Sequence, residues 1–319
     1  LFVEDEIRPQ AGRWTLRTGL RADETRLEPR PEAIWLADNP NVPVARVARR
    51  SLSPRLGWSW AVTPDARLFA QYAHGFRAPP FEDVNIGLDL PSIGVRALPN
   101  PDLQPERSDG IELGVRTQRS RLYGTVSLFA TRYRDLIESK VNLGRDPVSG
   151  LTLFQSRNVA AAEIYGLEAD LRAELSEWSA SLDQWSVRFT ATLTEGRDTR
   201  ADRPLNAIDP ARITFASRYR SPSDRASVEL RVTNVFAKSA VADPPSGAQL
   251  VRTGGYALVD LSAQFSLGQK TTFRLGANNL LDRPYREWAD VRGLTIDDPL
   301  LPLYQRPGRN LSLNLDWRY

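Results

Sequence analysis

Leu311, Leu313, Leu315, Trp317 and Tyr319 fall on one parity of the last nine residues, and Ser312, Asn314, Asp316 and Arg318 fall on the other. A period of two with one apolar and one polar face is a β-strand, because a helix would repeat every 3.6 residues. The alternation recurs along the chain. Ser51 to Val62 sets Leu52, Leu56, Trp58, Trp60 and Val62 against Ser53, Arg55, Gly57 and Ser59, and Trp185, Val187, Phe189, Ala191 and Leu193 oppose Ser186, Arg188, Thr190, Thr192 and Thr194. Strands are predicted over Leu1 to Arg8, Arg13 to Leu27, Ser51 to Val62, Ala66 to Arg77, Glu106 to Thr117, Arg121 to Lys140 and Thr152 to Leu175. They continue over Gln184 to Arg197, Pro210 to Ser221, Arg225 to Phe236, Arg252 to Gly268, Thr271 to Asp282 and Gln305 to Tyr319. That makes about thirteen strands.

The connections narrow the choice of fold. Those after Arg8, Val62, Thr117, Leu175, Ser221 and Gly268 read as short, and those after Leu27, Arg77, Lys140, Arg197, Phe236 and Asp282 as long. Strict alternation puts all short turns at one end of the sheet, as in outer-membrane barrels, whereas Greek-key sandwiches have no reason to keep that order. Trp14, Trp185, Phe273, Tyr219, Trp317 and Tyr319 sit at short-turn ends on the apolar parity. Amphipathic rings at that level form an interfacial girdle. The expected fold is all-β, a transmembrane antiparallel β-barrel in the outer membrane of a Gram-negative cell, with the long loops available for recognition.

Composition excludes several other classes. No run of about 18 apolar residues offers a membrane helix, and a mean hydropathy of -0.40 suits strands that are half polar. All but three of the 42 basic residues are arginine, scattered among 39 acids, so a net charge of +3 builds no nucleic-acid block. There is no cysteine for a thiolate site, no GxSxG and no HExxH. A rim protease would need paired acids with a histidine, and the single His74 shares parity with Leu68, Ala70, Tyr72 and Phe76. No catalytic or metal residues are assigned, and the chain is not expected to be an enzyme. It contains no methionine and opens inside a strand. Residues 1–319 are therefore expected to be the C-terminal part of a larger barrel domain, without its signal peptide or N-terminal region.

Tyr72-Ala-His-Gly-Phe-Arg-Ala-Pro-Pro-Phe81 followed by Pro99-Asn-Pro-Asp-Leu-Gln-Pro-Glu106 resembles the paired boxes of TonB-dependent outer-membrane receptors of the haem, haemoglobin, transferrin and lactoferrin group. Phe129 to Tyr133, Gln155 to Asn158, Tyr165 to Glu168, Asn278 to Tyr285 and Arg306 to Asn310 are similar to the group's downstream motifs. The resemblance implies the last thirteen or so strands of a plugged barrel of about 22. It places the plug and the TonB-contacting segment upstream. It also implies active import of haem or iron caught by external loops, with a ferric siderophore or another nutrient as the alternative and a passive pore as a different class. Haem or a ferric chelate would be cargo rather than cofactor. Partners would be the TonB complex, the haem carrier or siderophore, and outer-membrane lipid and lipopolysaccharide.

Carried onto this sequence, the boxes make Phe76, Arg77, Ala78, Pro79, Asn100, Pro101, Asp102 and Leu103 the expected ligand-binding loop residues. Arg77 shares parity with Arg67, Gln71, Ala73 and Gly75, so its guanidinium is expected to face the lumen mouth and pair with a propionate or a neighbouring acid. Pro79, Pro80, Pro99, Pro101 and Pro105 stiffen both feet of the longest loop, which is expected to stand open for a protein partner. Relatives carry a haem-ligating histidine between the boxes, and Glu82 to Leu98 has none. Tyr285 and Tyr304, in the last long loop and at the foot of the final strand, carry phenolates whose chemistry suits ferric iron, and nothing in their spacing singles them out.

Overall fold

The computed structural model describes residues 1–318 apart from 11, 39–43 and 86. Ala11 of the first turn and Tyr319 of the aromatic set lie outside the described residues. The strands are β1 (Phe2–Ile7), β2 (Trp14–Leu27), β3 (Val47–Thr63), β4 (Ala66–Arg77), β5 (Leu88–Leu90), β6 (Val95–Leu98), β7 (Glu106–Arg119) and β8 (Leu122–Arg145). They continue with β9 (Thr152–Glu174), β10 (Trp185–Asp198), β11 (Arg203–Pro204), β12 (Arg212–Arg220), β13 (Ala226–Val235), β14 (Tyr256–Leu267), β15 (Thr271–Asn278) and β16 (Asn310–Trp317). All belong to one sheet, and thirteen form the wall in chain order with every neighbour antiparallel. Among the described residues the wall is open: β1 pairs only with β2, and β16 only with β15.

The register carries the parity around the wall. Ala70, Leu113, Leu128, Leu167 and Leu193 stand side by side across five strands, and Phe189, Phe215, Val232 and Val259 across four. None of these residues is buried, and Leu128 is 57% exposed, as Leu313 of the last strand is 69%. An aliphatic side chain left in water forfeits about 1.5–3 kcal/mol of burial, so a wall of them requires an apolar surround. Trp14 lies opposite Trp60, and Trp185 packs on Tyr219 at 5.3 Å, which puts the aromatic set on the same outward face at the short-turn end. The inward face is polar. Arg188 makes two hydrogen bonds to Asp170 (2.9 and 2.7 Å), Arg218 reaches Glu229 (3.0 Å), and Gln71 donates to Glu112. Gly114 sits beneath the Phe69 ring, where a Cβ would clash, so the lumen-side phenylalanine covers a residue that has to be small.

At the opposite end the connections are long and packed. Apart from Ala162, Ala173 and Ala191, the buried apolar side chains lie there. One cluster joins Val47, Val84, Leu103 and Ile137; another joins Val241, Leu250, Val251, Trp288 and Val291. Two connections differ from expectation. No long loop follows Lys140: β8 continues to Arg145 and β9 begins at Thr152, so the chain forms a hairpin arm past the rim, beyond the last β7 pair at Arg107–Arg134. Register shifts between Glu138 and Val141 and between Asn142 and Gly144, with left-handed Lys140 and Gly144, absorb extra residues without ending the ladder. Leu175–Gln184, read as a short turn, instead folds through two 3-10 turns, because Ser179 accepts from the Ser181 amide and starts a local turn.

Candidate ligand-binding mouth

The first box pair is tied together at the root of the arm. Arg77, the last residue of β4, faces Glu106, the first of β7, and the two form an ion pair at 3.1 Å. The Glu106 side chain is only 7% exposed and also accepts the Ile137 amide (2.7 Å), so the expected neighbouring acid is present and held on both sides. Asn100 closes an Asx turn on the Asp102 amide (3.2 Å) and donates to the Ser156 carbonyl (2.9 Å). Gln155 donates to the Pro99 carbonyl (3.0 Å), Ser156 to Asp83 (2.8 Å), and Asn158 exchanges two bonds with the Gln104 backbone (2.8 and 3.0 Å). The Gln155–Asn158 stretch of β9 is therefore the clamp on the second box. Nothing in its spacing marked that partnership, beyond the presence of amide side chains where a wall strand would carry leucine.

Of the eight residues carried over from the boxes, Pro79 and Leu103 are buried, Phe76, Ala78, Asn100 and Pro101 are half-buried, and Arg77 and Asp102 are exposed. Phe76 pairs with Arg107 on the outward parity, opposite to Arg77. Arg77 and Asp102 are thus the two that present charge at the mouth. The long loop does not stand open. Its helix α1 (Phe81–Asn85) buries Val84, Asn85 holds the Ala45 amide (2.7 Å), and β6 runs parallel to β9, so the prolines set the feet of a loop folded back on the arm.

A second clamp holds the last long loop. Asn279, left-handed at φ 50°, accepts the Arg283 amide (2.9 Å) and donates to the Arg283 carbonyl (2.9 Å). Asp282 accepts the Arg309 amide (2.8 Å), and Tyr285 accepts from the Arg306 amide (3.0 Å). The Asn278–Tyr285 and Arg306–Asn310 motifs are thereby two halves of one turn. Beyond it helix α2 (Trp288–Val291) plugs the second cluster, with Trp288 donating to the Asn206 carbonyl (2.9 Å). Asn142 of the arm donates to the Gly293 carbonyl (2.9 Å) and links the two halves of the mouth.

Charge at the mouth is shaped by burial. Desolvation holds the Lys238 ammonium, stacked 5.7 Å over Trp288, below its ordinary value. Hydrogen bonds from Ser149 and the Val148 amide lower the Asp146 carboxyl at the tip of the arm. His74 faces outward, as its parity requires, and its Nδ1 lies 2.9 Å from Asp109, which also receives Tyr72 (2.8 Å) and Arg134 (3.1 Å). With Arg132–Glu163 (2.9 Å) and Tyr165–Glu195 (2.8 Å), these pairs mark where the apolar band gives way to polar surroundings. Tyr285 packs on Tyr256 at 4.6 Å, and Tyr304 packs against the Trp288 cluster.

An apolar outer face, a charged lumen and elaborated loops at a single end define a sector of a membrane-spanning β-barrel with a receptor-like mouth. The chain belongs to the TonB dependent receptor-like, beta-barrel family, whose model matches residues 1–280. It is 26% identical over 289 residues to a hemoglobin and hemoglobin-haptoglobin-binding protein of Haemophilus ducreyi, covering 78% of this chain and 30% of that protein. It is 26% identical over 310 residues to hemoglobin-haptoglobin utilization protein B of Neisseria meningitidis serogroup A, covering 85% and 38%. The chain thus spans about a third of these relatives. Among solved structures, the copper transporter OprC superposes with a TM-score of 0.74 at 19% identity, over 96% of this chain and 45% of that one. The ferric enterobactin receptor PfeA of Pseudomonas aeruginosa gives 0.66 at 21%, over 99% and 44%. At such identities the structural likeness concerns the fold alone. The family is one of transport receptors.

Proposed function

We propose that this chain is the C-terminal barrel part of an outer-membrane importer that captures haem or haem iron from a haemoglobin-type carrier and passes it inward on energy delivered through TonB. The observation that carries the reading is the sorted wall: a bare apolar exterior, a polar lumen and one self-packed mouth form a transmembrane conduit with a recognition end. The haemoglobin-binding relatives supply the cargo class. Two unpaired strand edges in a bilayer would leave rows of amides without partners, which supports a closed barrel completed by further strands. The outward charged rim suits headgroups of outer-leaflet lipid and lipopolysaccharide. The protein works by binding and passage rather than by bond-making.

The test uses the full-length receptor. A strain that depends on it is expected to grow with haemoglobin as the sole iron source only when TonB is intact, and the purified receptor is expected to give a Soret shift with hemin. A flat hemin titration beside tight binding of a ferric siderophore would replace haem with the siderophore as cargo.

A further inference from the structure

Between the loop that enters β14 and the loop that leaves β15 lies a cavity of about 360 Å³. Arg252, Arg283 and Arg286 line it together with Tyr256 and Tyr285, and no carboxylate does. Two of the guanidinium groups are fixed. Arg252 donates to Asp243 (2.9 Å) and to the Leu250 carbonyl (3.0 Å), and Arg286 donates to the Leu301 carbonyl (3.2 Å). The exposed Arg283 side chain makes no hydrogen bond or ion pair with any described residue, although its backbone is clamped at both N–H and C=O by Asn279. Tyr256 is 6% exposed, and Glu287, the carboxylate beside its hydroxyl, is paired with Arg212 (3.0 Å).

We propose that this cavity is an anion-binding site for a carboxylate or phosphate group. Three cations share one lining and Asp243 engages only the first, so a net positive charge is left facing a cavity the size of small-ligand pockets. Guanidinium forks match the paired oxygens of both anions. Arg283 is the residue free to close on the anion, because its clamped backbone aims it while its side chain is uncommitted.

Two sources offer this chemistry, a carboxylated cargo and the phosphates of the surrounding glycolipid. Full-length receptor in phosphate-free detergent would be titrated with hemin, hemin dimethyl ester and inorganic phosphate, and the phosphorylated glycolipid retained through purification would be weighed. If the cargo supplies the anion, Arg283→Ala weakens hemin binding about tenfold and leaves the ester unchanged. If the glycolipid does, the same variant lowers the affinity for phosphate and the retained lipid about tenfold and leaves hemin alone. Arg200→Ala, an exposed external-loop control, changes neither. Unaltered values for Arg283→Ala and Arg283→Glu in both arms, or no anion binding by the unmutated receptor, overturn the site. Failure of the unmutated receptor to import haem, with its phosphate binding intact, would count against the cargo and leave the pocket standing.

Discussion

The wall and the mouth are made of the same apolar residue types, arranged to opposite ends. On the wall, Leu128 and Leu313 are left bare; at the mouth, Val84 and Val291 are sealed and Trp288 is 2% exposed. A lipid-facing strand has no need of an internal core, because the bilayer supplies the apolar phase. A loop in water has no such help and must build its own cluster or give up its shape. The difference teaches that the mouth is a small water-soluble structure mounted on a membrane-soluble one, with separate sources of stability.

Three substitutions test that separation in the full-length receptor. The largest effect is expected from Trp288→Ala, which empties a packed site at a cost of about 3–5 kcal/mol. The external loops should become open to protease while the heat-resistant barrel band on gels persists; loss of the band would merge the two regions. Leu230→Arg does the reverse. A charge on the lipid face in mid-strand costs about 2–4 kcal/mol, so folding into bilayers should fail or slow at a position where the mouth is untouched. Asn158→Ala removes the amide that clamps Gln104, at about 1–3 kcal/mol. Hydrogen exchange should speed up across residues 99–105 and stay unchanged in β12 to β16.

The smallest effect is expected from acid. The Asp146 carboxyl is lowered in the folded arm by Ser149 and the Val148 amide, so its contribution is present above the ordinary carboxylate value of about 3.9 and is lost as pH falls through the lower folded value. Exchange at the tip, residues 146–151, should quicken below pH of about 4 while wall amides stay protected. A wall that loosened first would reverse the comparison.

The motifs legible in the sequence turned out to be fastenings. Arg77, read as a lumen-facing cation with a possible acid partner, has that partner in Glu106. The second box was legible as a loop foot, yet its clamp, Gln155 to Asn158, lies more than fifty residues on in a different strand. Nor did the sequence show that β8 would run on past Lys140, since the left-handed residues that rescue the ladder look like ordinary loop residues. Arg283 stood inside the Asn278–Tyr285 motif and Tyr256 inside a predicted strand, yet neither was legible as a cavity residue, because their loops meet only after both turns have folded.

The sequence by itself determined which face of each wall strand is apolar, how many strands cross, and at which end the chain elaborates. Each of those depends on a residue and its neighbours two positions away, and a period of two is written locally. The tertiary structure alone decided which loops meet, such as Asn142 with Gly293 across 151 positions, and where a cationic cavity is left between them. Contacts of that span are selected by packing and by the need to satisfy buried polar groups, and neither leaves a periodic trace in the chain.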